Sequence, residues 1–254
     1  MESSPDTTYD RIGQGYAAVR QADPRIAARV EAALGNADSV LNVGAGAGSY
    51  EPIGREVTAV EPSRLMISQR LPGAAPAIQA SAEDLPFEDG SFDAAMATIT
   101  VHHWRDLGAG LAEMARVARR RVVVLSFDPA PLADFWPVEY FPRAFEIHSE
   151  FMPPLDEIAA ALGGDVTIEA VPIPRECTDG FFFALWGRPE LQFDPEVRRA
   201  STVWHVMERE RIENGLAELR ADLESGRWDE RHGHLREQTA ELDLGLRLLV
   251  AELG

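Results

Sequence analysis

The sequence predicts an α/β fold built on a mostly parallel, doubly wound sheet with helices on both faces. Short apolar runs alternate with helical patterns from residue 24 to residue 127, which is the element order of such a sheet. Several runs are apolar throughout, as in strands that are buried on both faces. A glycine-rich turn follows the first run, at the place where open α/β sheets bind ligands.

Two helices are predicted ahead of the first strand. Residues 9–20 have a helical pattern, and a second helix begins at Asp23-Pro24, with Asp23 as its N-cap and Pro24 in its first turn. Gly35-Asn36 is a typical helix end. We therefore expect the sheet to begin close to residue 40.

Five parallel strands and two intervening helices are predicted next. The helical patterns cover residues 64–70 and 107–119, and each of them separates two apolar runs. The predicted strands are Val40–Val43, Val57–Val60, Ala77–Ala80, Phe92–Ala97 and Val122–Phe127.

An aromatic, proline-rich segment follows at residues 129–154. It contains six prolines and six aromatic residues, a composition that flexible linkers do not have. Two interpretations stay open: the aromatic side chains are ordinary core, or they form a lid over an apolar substrate cavity. The aromatic residues are Phe135, Trp136, Tyr140, Phe141, Phe145 and Phe151.

The remainder of the chain is predicted to add one helix, two strands and a helical end. Residues 155–162 are helical, and the runs 166–171 and 181–186 read as an antiparallel pair of strands. From Asp194 onward the chain is charged and mostly helical, with two apolar stripes that suit a solvated helix face or a dimer contact. The stripes are Ile212, Leu216, Leu219 and Leu223, then Leu242, Leu246, Leu249 and Leu253.

Composition narrows the function. The chain has 254 residues, 45% of them hydrophobic, which suits one large α/β domain. Its 42 acids outnumber 24 bases, all of them arginine, for a net charge of −18. Without lysine, Schiff-base enzymes and the P-loop are excluded. The acidic balance disfavours nucleic acid as a partner and favours a small-molecule substrate.

Metal, disulfide and membrane classes are also disfavoured. The single Cys177 forms no internal disulfide and is interpreted as a passive thiol. His232-Gly233-His234 is interpreted as a solvated turn, so no metal site is predicted. There is no run of 18 apolar residues, and the acidic start lacks the apolar core of a secretory signal. We expect a cytoplasmic protein, monomeric or homodimeric, with no membrane partner.

The glycine turn and the acid that ends the second strand indicate a binding site for a nucleoside. The run Val40-Leu41-Asn42-Val43 leads into Gly44-Ala45-Gly46-Ala47-Gly48-Ser49, and glycine lets a ligand touch the backbone. Seventeen residues after Gly44, Glu61 ends the second strand, where a carboxylate can accept the hydroxyls of a ribose. The dinucleotide fingerprint needs glycine or alanine where Ser49 stands, so a nicotinamide dehydrogenase is disfavoured.

Four motifs in order resemble the class I S-adenosylmethionine-dependent methyltransferases. They are the Gly-x-Gly-x-Gly turn, the second-strand motif at residues 60–66, the segment at 80–93 and the strand-four exit at 98–104. The resemblance covers residues 38–128 and is strongest to the branch related to ubiquinone and menaquinone biosynthesis. The chain departs from that pattern where Asn42 and Ser81 stand in place of frequent acids, and where residues 50–55 shorten a helix.

The resemblance implies a Rossmann-like sheet of seven strands in the order 3-2-1-4-5-7-6, with one antiparallel strand and helical additions. It also implies a single methyltransferase domain spanning 1–254. Its expected parts are N-terminal helices at 1–36, a cofactor-binding core at 37–128, an aromatic substrate lid at 129–160, the last two strands at 161–187 and C-terminal helices at 188–254.

The same resemblance implies S-adenosylmethionine as the cofactor. The glycine turn would hold its methionyl part, Glu61 its ribose, and Ser81, Ala82 or Glu83 its adenine, by a hydroxyl, a backbone group or a carboxylate. The predicted cofactor-binding residues are Asn42, Gly44, Ala45, Gly46, Gly48, Glu61, Pro62, Ser63, Met66, Ser81, Ala82, Glu83, Thr98 and Ile99.

Histidine is the natural base when methyl transfer needs a proton removed. His102 and His103 follow strand four at the ligand-binding edge, and they are the predicted catalytic residues. Because adjacent side chains diverge, only one of the two is expected to face the cavity, and which one acts as a base stays open. His148 is a weaker candidate. Tyr9 and Tyr16 are candidate covers of the cofactor, and Arg11 is a candidate contact to the methionyl carboxylate.

The sequence thus predicts a methyltransferase of EC class 2.1.1 that acts on a small, apolar or aromatic molecule. Which atom is methylated, O, N or C, stays open. The alternatives are an enzyme of the same fold and cofactor that catalyses a non-methylating reaction, and a non-catalytic cofactor-binding module.

Overall fold

A computed structural model describes residues 20–70, 73–132, 135–199 and 201–254. The predicted helix at 9–20, the candidate covers Tyr9 and Tyr16, and Arg11 fall outside the described residues, apart from Arg20.

The helices lie in three groups along the chain. The first is α1 (Pro24–Ala33), α2 (Arg64–Ser68) and α3 (Leu107–Val117). The second is α4 (Pro137–Tyr140), α5 (Pro142–Phe151) and α6 (Leu155–Leu162). The third is α7 (Pro195–Arg199), α8 (Thr202–Val206), α9 (Arg209–Ser225), α10 (Arg227–His232) and α11 (His234–Glu237).

Nine strands accompany them in the described residues. They are β1 (Ser39–Val43), β2 (Glu56–Val60), β3 (Ala77–Ile78), β4 (Phe92–Thr98), β5 (Ala118–Phe127), β6 (Asp165–Ala170), β7 (Ile173–Pro174), β8 (Glu241–Leu242) and β9 (Leu246–Glu252).

Helix α1 has the predicted start. Asp23 lies in extended conformation, and its side chain accepts a hydrogen bond from the N–H of Arg25, while Pro24 occupies the first turn. Ile26 and Val30 are buried on the face that packs against the sheet. The helix ends one residue before Leu34, and Gly35 follows with a positive φ of 57°.

Seven strands form one sheet in the order β3-β2-β1-β4-β5-β9-β6. The first five are parallel, and β9 is antiparallel to both of its neighbours. Counted by their order within this sheet, the strands follow 3-2-1-4-5-7-6, so the predicted topology with one antiparallel strand is confirmed. The two remaining strands, β7 and β8, pair with each other.

The last strand of the sheet is not the one that the sequence predicted. Residues 181–186, read as a strand, contain a 3₁₀ turn at Phe182–Leu185 whose side chains are buried. The seventh strand is β9, in a segment read as a helical leucine stripe. The boundaries 161–187 for the last two strands and 188–254 for helices alone are therefore wrong, because β8 and β9 close the chain.

Two hydrophobic cores flank the sheet. Alternate residues of β5 point to opposite cores: Val123 and Leu125 to one, Val122 and Val124 to the other. The aromatic segment joins the first core. Trp136 contacts Trp228 edge-on at 5.5 Å, and its indole N–H donates to the carbonyl of Trp186 at 2.8 Å.

Most aromatic side chains of the segment are buried rather than exposed. Trp136 and Phe141 are each 1% exposed, whereas Phe151 is 45% exposed. Among the described residues of that segment, none lines the cavity described below. This placement favours the core interpretation over the lid. Within the described ranges, the helices are too short or too polar to cross a membrane.

Candidate functional site

A cavity opens at the carboxyl edge of the parallel strands, where β1, β2 and β4 end. The empty space in and around it, including open solvent at its mouth, is about 1050 Å³. Thirteen of the predicted site residues line it. They are Gly44, Ala45, Gly46, Glu61, Pro62, Ser63, Met66, Ser81, Ala82, Glu83, Thr98, Ile99 and His103.

The glycine turn folds as its residue types demand. Gly44, Gly46 and Gly48 have φ values of 69°, 51° and 100°, in the region that favours glycine. The N–H groups of Gly44 and Ala45 both donate to the carbonyl of Val60, at 2.9 and 3.0 Å, which ties the turn to β2. A Cβ on Gly44 would lie 2.3 Å from the hydroxyl of Thr100, so this position has no room for a side chain.

Glu61 is a buried acid in the cavity lining. The residue is 6% exposed, and its carboxylate accepts the N–H of Gly46 at 2.8 Å and the N–H of Ser63 at 2.9 Å. Ser63 also caps α2, since its hydroxyl accepts the N–H of Met66. These backbone donors fix the carboxylate between the glycine turn and the start of α2. The role of Glu61 as a ribose-binding acid stays a prediction.

Asn42 lies in β1 and Gly48 in the glycine turn, and neither belongs to the cavity lining. The Asn42 amide donates to Glu51 at 3.2 Å, and Glu51 also pairs with Arg70. The Arg70 guanidinium donates to the carbonyl of Gly46 at 3.2 Å. The assignment of Asn42 and Gly48 to the cofactor stays a prediction.

The Ser81–Glu83 segment forms one wall. The pKa of Glu83 lies below its ordinary value. Burial alone would raise this pKa, but hydrogen bonds from backbone N–H groups and the Ser81 hydroxyl lower it by more. Two of those N–H groups belong to Arg105 and Asp106, at 2.8 and 3.2 Å from the carboxylate. Glu83 therefore binds the turn after β4, and among the three candidates it is the one already engaged with the protein backbone.

The exit of β4 is strained. Ile99 has a φ of 52°, a conformation that a β-branched residue rarely adopts. Its N–H donates to the carbonyl of Leu125 at 2.7 Å, which holds it against β5. The chain then enters a 3₁₀ turn at Val101–His103. This turn separates the two histidines: His103 lines the cavity, and His102 does not.

Both histidines are held neutral. Burial, followed by the charge of Arg20, lowers the pKa of His103 to about 4. Burial, followed by electrostatic interactions with His103, His148 and Arg20, lowers the pKa of His102 well below its usual range. Their rings lie 3.8 Å apart between centroids. A neutral imidazole can accept a proton, so His103 has the protonation state of a base.

The structure adds residues that sequence reasoning missed. All of these residues except Arg20 lie next to the motifs in sequence, and that adjacency was the available signal. The added lining residues are Arg20, Ala47, Ser49, Tyr50, Thr100, Trp104 and Arg105.

The other titratable candidates lie elsewhere. His148 is 6% exposed and contacts Phe127 and Phe183 edge-on, outside the cavity lining. Burial raises the pKa of the Cys177 thiol to about 12, so it remains protonated. Among the described residues, His, Cys, Asp and Glu form no group of three or more that could hold a metal.

Comparison with known proteins gives consistent findings. A family described as a methyltransferase domain matches residues 41–125. A crystal structure from Anabaena variabilis, described as a putative methyltransferase from an antibiotic biosynthesis pathway, is 30% identical with a TM-score of 0.86. That match covers 92% of this chain and 99% of the other.

Two further relatives are more limited. The [4+2]-cyclase SpnF is 15% identical with a TM-score of 0.56, over 99% of this chain and 97% of that one, a likeness of fold alone. The uncharacterised protein YafE of Escherichia coli is 39% identical over 62 residues. This match spans 23% of the present chain and 30% of the length of YafE.

Proposed function

The chain belongs to the class I S-adenosylmethionine-dependent methyltransferases, and we propose that it methylates a small molecule in the cavity beside Glu61. The observation that carries the proposal is the joint placement of the glycine turn, the buried acid and His103 around one cavity. The kinship to the quinone-biosynthesis branch, a single domain spanning 1–254, cytoplasmic localisation and a monomeric or homodimeric state stay predictions.

The residues present fit the cofactor. Gly44 and Gly46 both line the cavity and carry no side chain, so a ligand can lie directly on their backbone. The buried Glu61 in the same lining supports the fit, since a carboxylate at the end of the second strand can accept ribose hydroxyls.

Each wall has a distinct role in this proposal. Gly44 and Gly46 hold the amino-acid part, Glu61 holds the ribose, and Ala82 with the Ser81 hydroxyl borders the adenine. When bound, S-adenosylmethionine supplies an electrophilic methyl group on a sulfonium that is already a good leaving group. The protein then has to align the acceptor and exclude water.

His103 is the proposed base, because it alone of the two histidines lines the cavity. Its neutral imidazole would take a proton from a hydroxyl or similar group of the acceptor. Ile99, Tyr50 and Trp104 supply apolar surface in the same cavity, which supports an apolar or aromatic acceptor.

The experiment is to incubate the protein with S-adenosylmethionine and a panel of small hydroxylated, amino and carbon-acid aromatic compounds. We expect one class to yield equimolar methylated product and S-adenosylhomocysteine by mass spectrometry. Cofactor binding with turnover of an acceptor but no added methyl group would instead support a non-methylating enzyme. Binding that accelerates no reaction in the panel would favour a cofactor-binding module.

A further inference from the structure

A groove opens at the carboxyl edge of the sheet directly after β5. It is lined by residues 128–130, residues 154–156 and the side chains of Phe145, Ser149 and Met152, and is named the β5 groove. The empty space in and around it, including open solvent at its mouth, is about 800 Å³. Among the described residues, it shares no lining with the cavity that contains Glu61. The β5 groove is therefore separate from that cavity.

Apolar side chains form most of the lining of the β5 groove. Phe145, Ser149 and Met152 follow the spacing of one helix face toward the end of α5. Phe145 and Met152 also pack against one hydrophobic core, and Leu155 packs against the other. The apolar floor is thus anchored to both cores and offers a fixed surface to the apolar part of a ligand.

Two aspartates add negative charge to the groove. The Oδ1 of Asp128 accepts the N–H of Ala130 at 3.0 Å, and the N–H of Asp128 donates to the carbonyl of Gly245 at 2.7 Å. Asp156 lies in the first turn of α6, and its Oδ1 accepts the N–H of Glu157 at 3.1 Å. These hydrogen bonds fix both carboxylates and use one oxygen of each, so the other oxygen can accept from a ligand.

Within the described ranges, no arginine forms an ion pair with either aspartate. The arginines of the neighbouring elements are paired with other acids. On α5, Arg143 pairs with Glu146 at 3.1 Å and with Glu150 at 2.9 Å, and on β9, Arg247 pairs with Asp243 at 2.6 Å. Two carboxylates in one groove without a counter-charge from the protein attract a cation from solution.

Ser149 supplies an observation that does not depend on charge. Its hydroxyl oxygen is buried, and it has no hydrogen-bond partner in the part of the chain that the structure describes. A helical serine ordinarily points to solvent or bonds the carbonyl of the preceding turn. A buried hydroxyl without a partner costs free energy, and a ligand that donates a hydrogen bond to it recovers that cost.

We propose that the β5 groove binds a small organic cation, a protonated amine carried by an apolar or aromatic body. The ammonium group lies against the carboxylates of Asp128 and Asp156 and donates to the hydroxyl of Ser149. The body of the ligand lies on Phe145 and the apolar floor around it. This inference goes beyond the proposed function, because it uses neither the cofactor nor His103.

The test is titration calorimetry at low ionic strength, without cofactor, using phenethylamine as the probe. Phenethyl alcohol has the same ring without the charge, and ethylamine has the charge without the ring. We expect phenethylamine to bind the wild type at least about tenfold more tightly than either, because only phenethylamine satisfies both the carboxylates and the apolar floor. Absence of phenethylamine binding, or equal binding of either simpler compound, would overturn the proposal.

Variants locate the binding. Asp128→Asn and Asp156→Asn retain the oxygen that bonds the backbone and remove the charge, so each should fold and should weaken phenethylamine about tenfold. Ser149→Ala should weaken it about threefold. Glu157→Gln, the matched control, removes a charge from the same helix outside the groove lining and should leave the affinity within about twofold. Unchanged affinity in D128N and D156N, or an equal loss in E157Q, would overturn the site.

A second control separates the β5 groove from the cavity beside Glu61. Glu61→Ala should bind phenethylamine as the wild type does, and S-adenosylhomocysteine should bind D128N and D156N as it binds the wild type. Loss of phenethylamine binding in E61A with retention in D128N and D156N would place the amine in the cavity and overturn the proposal. Failure of S-adenosylhomocysteine to bind the wild type would contradict the proposed function and leave the groove assignment standing.

Discussion

At the residue scale, His103 is the side chain with the most specific proposed role, that of a general base. The two adjacent histidines are separated by a 3₁₀ turn, so only His103 reaches the cavity. Replacing His103 by Ala should lower kcat about 10²- to 10⁴-fold, the usual contribution of a general base, and leave the affinity for S-adenosylhomocysteine within about threefold. Steady-state kinetics with calorimetry would measure both. H102A is the matched control, and an equal or larger kcat loss in H102A would reverse the assignment.

Buried neutral histidines also predict how stability depends on pH. Burial lowers the pKa of His148 to about 4, whereas the unfolded chain titrates near the ordinary value of 6.5. Between these values the unfolded state binds the extra proton, so the stabilisation is complete above pH 6.5 and is lost as pH falls toward 4. For one such group the loss amounts to about 3 kcal/mol.

His148→Phe should reduce this acid sensitivity, because phenylalanine retains the edge contacts to Phe127 and Phe183 and has no proton to bind. Urea unfolding at intervals from pH 7.5 to 4.5 would give the slope of unfolding free energy against pH. We expect the slope to fall by about one proton in H148F and to stay as in the wild type in the neighbouring control Ser149→Ala. An unchanged slope in H148F would contradict the buried neutral state.

At the element scale, β9 is the main difference between the sequence-based fold and the structure. Leu242, Leu246, Leu249 and Leu253 have helical spacing, yet residues 246–252 pair with β5 on one side and β6 on the other. A strand buried within the sheet is apolar on both faces and has no alternation to reveal it. The prediction for residues 181–186 was also wrong: a strand was predicted, and a 3₁₀ turn is present. An apolar run also suits a buried turn in an aromatic core.

The central place of β9 predicts an unequal response to proline. Leu249 is 0% exposed and pairs with Val124 and Ile168, so proline there would break the ladder inside the sheet. Leu249→Pro should lower the free energy of unfolding by about 4 kcal/mol or more, or prevent folding. Leu242→Pro, in the two-residue strand β8, should lower it clearly less, as measured by urea unfolding. A similar decrease in both variants would favour the helical interpretation of this segment.

At the scale of the whole molecule, the sequence predicts one side of the site better than the other. The cofactor side is carried by contiguous motifs, because a glycine turn and a strand-end acid are local signals. Tertiary packing alone brings Asp179 into contact with Arg20 and Tyr50. No sequence pattern predicts a contact between positions 20 and 179. The acceptor side depends likewise on which of two adjacent histidines a single turn aims inward.

The aromatic segment shows the same limit. The composition of residues 129–154 predicted a folded segment, but not which way its side chains point. In the structure Trp136 and Phe141 pack into the core, and the cavity is lined by the motifs, their sequence neighbours and Arg20. The proposal of an apolar acceptor is therefore better supported by Ile99, Tyr50 and Trp104 in the cavity lining than by a lid.

The central claim is that this cavity binds S-adenosylmethionine through Glu61. The most direct measurement is thermal unfolding of the wild type and Glu61→Ala with S-adenosylmethionine, S-adenosylhomocysteine or NAD, since a ligand of the folded state alone raises the midpoint. We predict a rise with both sulfur nucleosides in the wild type, little or none in E61A, and none with NAD. No rise with either sulfur nucleoside at millimolar concentration, or a rise with NAD alone, would contradict the account.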